Sequence, residues 1–184
     1  MKIFAVYFSI CLPREPDWLI KFREKYDEPF ETHITLKQPC FIAESELPLL
    51  KQQLKAFVKN NNLKKIPVEF SKVVVDESDT EKNIIMLTPK DSVELIALQR
   101  KLIKVLSSYN DYFDINTIKY ETDFNPHITI AHSVVSQKLE KVLLETPDKF
   151  SISGYCDKLV LIIVKEATVK ERKDPNNLII FYLN

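Results

Sequence analysis

The chain has 184 residues, 45% of them hydrophobic and 28% charged, the ordinary balance of a soluble globular protein. Lys+Arg and Asp+Glu balance at 26 each, so the chain lacks the strong positive field that a nonspecific grip on long nucleic acid requires, and a small or short substrate fits better. Its single glycine excludes a Gly-rich phosphate loop or dinucleotide fingerprint, and any phosphate must be held mainly by side chains.

In chain order, residues 2–12 read as a central strand, apolar on both faces and ended by Pro13 and Pro16. The same start, Met1-Lys2 followed by an apolar run, loosely resembles a signal peptide. No small-residue cleavage site follows it, no stretch is long enough to span a membrane, and a soluble cytoplasmic protein is expected. Residues 17–26 suit a short helix with Asp17 as its cap, and residues 31–42 return to strand character. Leu47, Leu50, Leu54, Phe57 and Val58 recur at helical spacing between Ser45 and the Asn60-Asn61-Asn62 stop.

Residues 66–76 and 83–88 then read as two strands joined by a polar turn, Glu77 to Lys82. Asp91 and Glu94 stand as cap and N3 carboxylate of a helix that buries Leu95, Leu98, Leu102, Val105 and Tyr109. A polar loop around Tyr120 to Asn125 leads to a strand at 127–135. A short helix near Lys138 to Leu144 and strands at 158–169 and 177–183 follow, the last two joined by the charged loop Lys170 to Asn176. The order βαβαββαβαββ, without a Gly-rich linker, predicts an α+β architecture in one domain over residues 1–184, with a weak internal repeat. Cys11, Cys40 and Cys156 have neither redox nor metal spacing and read as buried thiols.

Chemistry concentrates in the histidines. Two of only three open the same tripeptide, His33-Ile34-Thr35 and His127-Ile128-Thr129, each followed by an apolar residue. Side chains alternate across a strand, so each motif turns an imidazole and a hydroxyl to one face and two apolar groups to the other. Two such strands around a concave surface bring together two imidazoles and two hydroxyls. One neutral histidine can accept a proton from an attacking oxygen, the other, protonated, can donate to a leaving oxygen, and the hydroxyls can hydrogen-bond nonbridging oxygens. His-x-Thr offers no second strong metal ligand and the cysteines lie elsewhere, so neither a metal nor another cofactor is called for.

The motif pair resembles the signature of the 2H phosphoesterase superfamily, which includes 2′-5′ RNA ligase-like proteins and cyclic phosphodiesterases. The resemblance is specific at the motifs and looser, through the order of elements, over nearly the whole chain. It implies a two-lobed α+β fold with pseudo-twofold symmetry and a central cleft. It also implies hydrolysis or formation of phosphoester bonds at a ribose 2′ oxygen, in nucleotides or short RNA with a 2′,3′-cyclic phosphate or a 2′-5′ linkage. His33 and His127 become the acid/base pair and Thr35 and Thr129 the phosphate ligands. A nucleotide- or RNA-binding module without turnover, and 2′-5′ ligation by the same site, are the alternatives.

Around the motifs, Lys37 shares the face of His33 if the strand is regular and would add positive charge near a phosphate, or else is an exposed lysine at a strand end. His132 lies at an odd offset from His127, which puts it on the opposite face unless a bulge intervenes, and reads as structural or surface. Phe41, Tyr120 and Phe124 lie near the motifs and read as core. Arg172 and Lys173 could meet a second phosphate but read as a solvated loop. No protein partner is indicated, and a monomer is expected.

Overall fold

The structure, a computed structural model, describes residues 1–27, 30–78 and 81–184. The elements are β1 (Lys2–Cys11), α1 (Asp17–Tyr26), β2 (His33–Ile42), α2 (Leu47–Asn60), β3 (Ile66–Asp76), β4 (Lys82–Pro89), α3 (Val93–Val105), α4 (Lys119–Thr122), β5 (Ile128–Val135), α5 (Leu139–Leu143), β6 (Ile152–Val164), α6 (Val169–Lys173) and β7 (Leu178–Tyr182). The α+β architecture and the order βαβαββαβαββ are as expected, with the short α4 and α6 inserted in what the sequence marks as loops. The turn Glu77 to Lys82 includes residues 79 and 80 and so lies partly outside the described residues.

Seven antiparallel strands form one sheet in the order β2-β1-β6-β3-β4-β5, with β7 also paired to β6. The two motif strands therefore lie at the two ends of this strand order, each an edge strand. β6 joins the halves: its first residues, Ile152–Cys156, pair with β3, and Lys158–Ile162 pair with β7 on that same side, while β1 runs along the other. This explains why β6 begins at Ile152, well before residue 158. Gly154, the chain's one glycine, sits where a Cβ would lie 2.5 Å from the Cys11 carbonyl oxygen, closer than a side chain allows.

β1 shows how the sequence builds two apolar layers. Phe4, Val6, Phe8 and Ile10 face the main core, with Leu19 and Phe22 of α1, Leu50 and Leu54 of α2, and Leu95 and Leu102 of α3. Ile3 and Tyr7, on the alternate face, join Val160, Ile162 and Val164 in a smaller cluster. The helices cross over: α1 packs on β5, the motif strand of the other half, and α3 packs on β2. Each helix thus seats the opposite edge of the sheet.

Helix ends depart slightly from expectation. Pro16 occupies the cap position of α1, and Asp17 is the first helical residue, where its carboxylate still suits the helix dipole. Helix α3 starts at Val93, whose N–H donates to Asp91 Oδ1 at 3.0 Å. Val105 in its last turn is exposed, whereas Tyr109, beyond the helix, is buried. Cys40 and Cys156 are buried free thiols and Cys11 is half-buried. No helix among the described residues is long and apolar enough to cross a membrane.

Candidate active site

The two motifs are held the same way. His33 Nδ1 lies 2.8 Å from the Glu31 carbonyl oxygen, and His127 Nδ1 lies 2.8 Å from the Asn125 carbonyl oxygen. In each case the carbonyl belongs to the residue two before the histidine. A carbonyl accepts only, so each Nδ1 carries the proton, and Nε2 of the neutral ring holds the lone pair. Both rings border one cleft of about 330 Å³, together with Thr35 and Thr129. The four motif side chains therefore meet. Ala5, Ile162 and Met86 supply an apolar floor, and Tyr7, Phe30 and Tyr120 supply aromatic walls.

Around His33 the support is dense. Its ring lies 5.0 Å from that of Tyr7 and 5.2 Å from that of Phe30. The Glu31 carboxylate accepts hydrogen bonds from the Tyr7 hydroxyl and, at 2.9 Å, from Ser9. Arg23 clamps the same segment, donating to the Phe30 carbonyl at 2.7 Å and to Thr32 Oγ1 at 2.6 Å. Burial pushes the His33 imidazolium down to about 4, with His127 and Arg23 acting in the same direction and Glu31 opposing. Burial likewise lowers His127, with His132 adding to it, against the Asn125 carbonyl and Asp76. Beside His127, the Tyr120 hydroxyl donates to Asp76, which Lys119 approaches at 3.6 Å. Against the opposing effect of its burial, hydrogen bonds from Tyr120 and Ser78, with the Lys119 charge adding to them, hold the Asp76 carboxyl down at about 2.

Each motif strand bulges just after its threonine, and this changes two assignments. Tyr7 pairs with Thr35 while Val6 pairs with Lys37, so β2 advances two residues for one on β1. In β5, Met86 pairs with Thr129 and Ile85 with Ala131, the same irregularity at the same motif position. The bulge turns two successive side chains inward: Leu36 and Lys37 in one strand, Ile130 and Ala131 in the other, all buried.

Lys37 accordingly faces the core rather than the cleft and is not an exposed strand-end lysine. It is 2% exposed, and its Nζ lies 3.1 Å from both carboxylate oxygens of Glu121. Burial alone would pull its ammonium down, but Glu121, with Cys40 and Tyr112 acting in the same direction, outweighs this and the net direction is up. The next residues, Gln38 and His132, return to the cleft face and line it. His132, expected on the opposite face, is thus a third imidazole at the site, with Nε2 3.7 Å from Asp27 Oδ1.

Tyr120 lines the cleft although its position suggests core, whereas Phe124 packs on the main core and Phe41 on the smaller cluster, beside Phe113. Arg172 borders the cleft, brought there by α6. Among the described residues no group of three or more His, Cys, Asp or Glu side chains is placed to hold a metal ion.

A family model described as the 2′-5′ RNA ligase superfamily matches residues 17–168, a span holding both motifs. The chain belongs to this superfamily. Two solved structures show that the fold is shared far beyond sequence similarity. Usb1 of Kluyveromyces marxianus is 12% identical over 98% of each chain, at a TM-score of 0.58. TT0787 of Thermus thermophilus is 15% identical, covering 100% of this chain and 96% of that one, at a TM-score of 0.50. No curated protein sequence matches the chain. Membership of this superfamily, a group of 2H phosphoesterases, supports a phosphodiesterase or RNA-processing role. The tripeptides and their spacing lead to the cleft, but nothing in the sequence marks the bulges that bring His132 and Gln38 into it.

Proposed function

We propose that this protein is a metal-independent phosphodiesterase that acts at a ribose 2′ oxygen, hydrolysing 2′,3′-cyclic phosphates or 2′-5′ linkages. One observation carries the proposal. Two imidazoles, each with Nδ1 fixed to the carbonyl two residues back, share one cleft with the two motif hydroxyls. His33 and His127 serve as the acid/base pair through Nε2, one accepting the proton of the attacking water and the other protonating the leaving oxygen. Thr35 and Thr129 hydrogen-bond the nonbridging oxygens as charge builds on them. The apolar floor and the aromatic walls suit a base or ribose face.

The decisive experiment is incubation of the protein with 2′,3′-cyclic nucleotides and 2′-5′-linked dinucleotides in EDTA. Turnover is expected to persist in the chelator, with the remaining phosphate on one defined ribose oxygen. A loss restored only by added metal would reverse the claim of metal independence.

The lowered histidines also set the pH profile. Whichever ring takes which part, activity of the free enzyme needs one ring neutral and the other protonated. Because both are held down, by their own burial above all, both limbs of the kcat/KM bell are expected below the ordinary histidine value of about 6.5. A bound phosphate anion favours imidazolium, so the kcat bell is expected at higher pH than that of kcat/KM. Coincident bells centred above pH 7 would contradict this. The same lowering makes the unfolded chain bind more protons. The His33 contribution to stability is therefore complete above about pH 6.5 and is lost as the pH falls toward about 4.

A further inference from the structure

We infer that the outer face of α2 and α3 binds the sugar–phosphate backbone of RNA, as a surface separate from the cleft and independent of which bond the cleft cleaves.

The equal totals of 26 basic and 26 acidic residues conceal a segregation. Residues 47–68 and 95–110 hold eight of the cations and none of the acids. Six of the eight stand on the two helices: Lys51, Lys55 and Lys59 on α2, and Arg100, Lys101 and Lys104 on α3. All six are exposed. Among the described residues, none of them is paired with a carboxylate. The helices lie side by side, tied where Lys101 Nζ donates to Asn61 Oδ1 at 3.4 Å and Gln53 Nε2 to the Val105 carbonyl at 3.5 Å. The six cations therefore belong to one surface.

The helix dipole accounts for only part of this pattern. Lys59 and Lys104 stand in last turns, where the dipole favours a cation, and Glu44, Glu46, Asp91 and Glu94 stand at or just before the helix starts, where it favours an anion. It gives no reason for Lys51, Lys55, Arg100 and Lys101. Moreover, Lys51 and Lys55, Lys55 and Lys59, and Arg100 and Lys104 are like charges four residues apart, an arrangement that weakens a helix. No acid is interleaved to relieve it. A polyanion laid across the face removes that repulsion and releases its own counterions.

The surface looks away from the cleft. Leu50, Leu54, Leu95 and Leu102 of the two helices pack on the face of β1 that bears Phe4 and Phe8, whereas Ala5 and Tyr7, on the other face, border the cleft. Phe57 of α2 is buried and α3 has no aromatic residue, so the face stacks no bases and meets phosphates alone. Of the large apolar side chains on the two helices only Leu49, Val93 and Val105 are exposed, which leaves no apolar stripe for a lipid surface. The RNA-processing role that the superfamily supports favours RNA as the polyanion.

The test is fluorescence anisotropy with a labelled oligoribonucleotide of about twelve residues ending in a 3′-hydroxyl. It is run in about 150 mM salt, so that adsorption at low ionic strength does not count, and with excess cyclic mononucleotide to occupy the cleft. The wild type is expected to bind with a Kd of about 10⁻⁵ M, and log K should fall against log salt with a slope of about −2 to −4, for roughly three to six phosphate contacts. Oligo-A and oligo-U should bind alike. Lys51→Glu/Lys55→Glu/Lys59→Glu and Arg100→Glu/Lys101→Glu/Lys104→Glu should each weaken binding by about tenfold or more, while Lys51→Arg/Lys55→Arg/Lys59→Arg keeps it. A melting curve accompanies each variant, and Lys51→Gln/Lys55→Gln/Lys59→Gln replaces a charge-reversed variant that melts early.

kcat/KM on a 2′,3′-cyclic mononucleotide should not change in any of these variants. If that substrate is not turned over at all, the phosphodiesterase reading fails by itself and the binding result stands. No binding at about 10⁻⁴ M protein, or charge-reversed variants that bind like the wild type, would overturn the surface. So would tighter binding to phosphatidylserine vesicles than to RNA, which would assign the face to a membrane.

Discussion

His33→Ala and His127→Ala are each expected to lower kcat on a 2′,3′-cyclic nucleotide by about 10²–10⁴-fold, the usual contribution of a positioned general acid or base. The loss should fall on kcat more than on KM, because the threonines and the apolar floor still hold the ground state. The double variant should be little worse than either single one, since an acid and a base that act in one step fail together. Folding is not at stake. Both rings stand on the cleft side of edge strands whose core-facing residues, Ile34 and Ile128, remain in place. Steady-state kinetics with a melting curve for each variant check this, and turnover within tenfold of wild type in either single variant would end the acid/base assignment.

The largest expected effect on stability lies at the Lys37–Glu121 pair. Glu121, on α4 ahead of the second motif, accepts hydrogen bonds from Lys37 Nζ, from the Gln38 N–H at 2.6 Å and from the Tyr112 hydroxyl at 2.8 Å. The Lys37 ammonium also lies 4.2 Å from the Tyr112 ring centroid. This cluster ties the bulge of β2 to the segment that enters β5. Both side chains are almost fully buried, 2% and 4% exposed. Glu121→Leu would leave a buried ammonium unpaired, together with the N–H of Gln38 and the hydroxyl of Tyr112. A loss of about 3–5 kcal/mol is expected, read from urea unfolding.

The paired replacement Lys37→Met/Glu121→Leu should recover part of that loss, because no lone charge remains. Lys37→Met alone separates the two assignments of this residue. A cleft-facing lysine would show as a higher KM at unchanged stability, whereas the buried one shows as lower stability at nearly unchanged KM.

Regular elements were legible because their residues follow simple periods. Helix α1 spans the expected 17–26, and α2 buries Leu50, Leu54 and Phe57 as their spacing requires. β1 alternates its two apolar layers as a central strand must. Irregular pieces were not legible. Helices α4 and α6 are shorter than two turns, too short for a hydrophobic period to show. The start of β6 was hidden because Ser151, Ser153 and Gly154 break its apolar run, although that stretch pairs with β3.

For the site, the repeated tripeptide determined by itself that two imidazoles and two hydroxyls would each lie on one face of a strand, since alternation is a local property of the backbone. Only the tertiary structure decided that the two strands are opposite edges of one sheet, brought to a common cleft by helices that each pack on the other half. It also decided which neighbours join them. One extra residue in each strand sends Lys37 and Ala131 into the core and returns Gln38 and His132 to the cleft. A bulge is set by the pairing of one strand against another, and a single strand's sequence, read alone, contains only half of that pair.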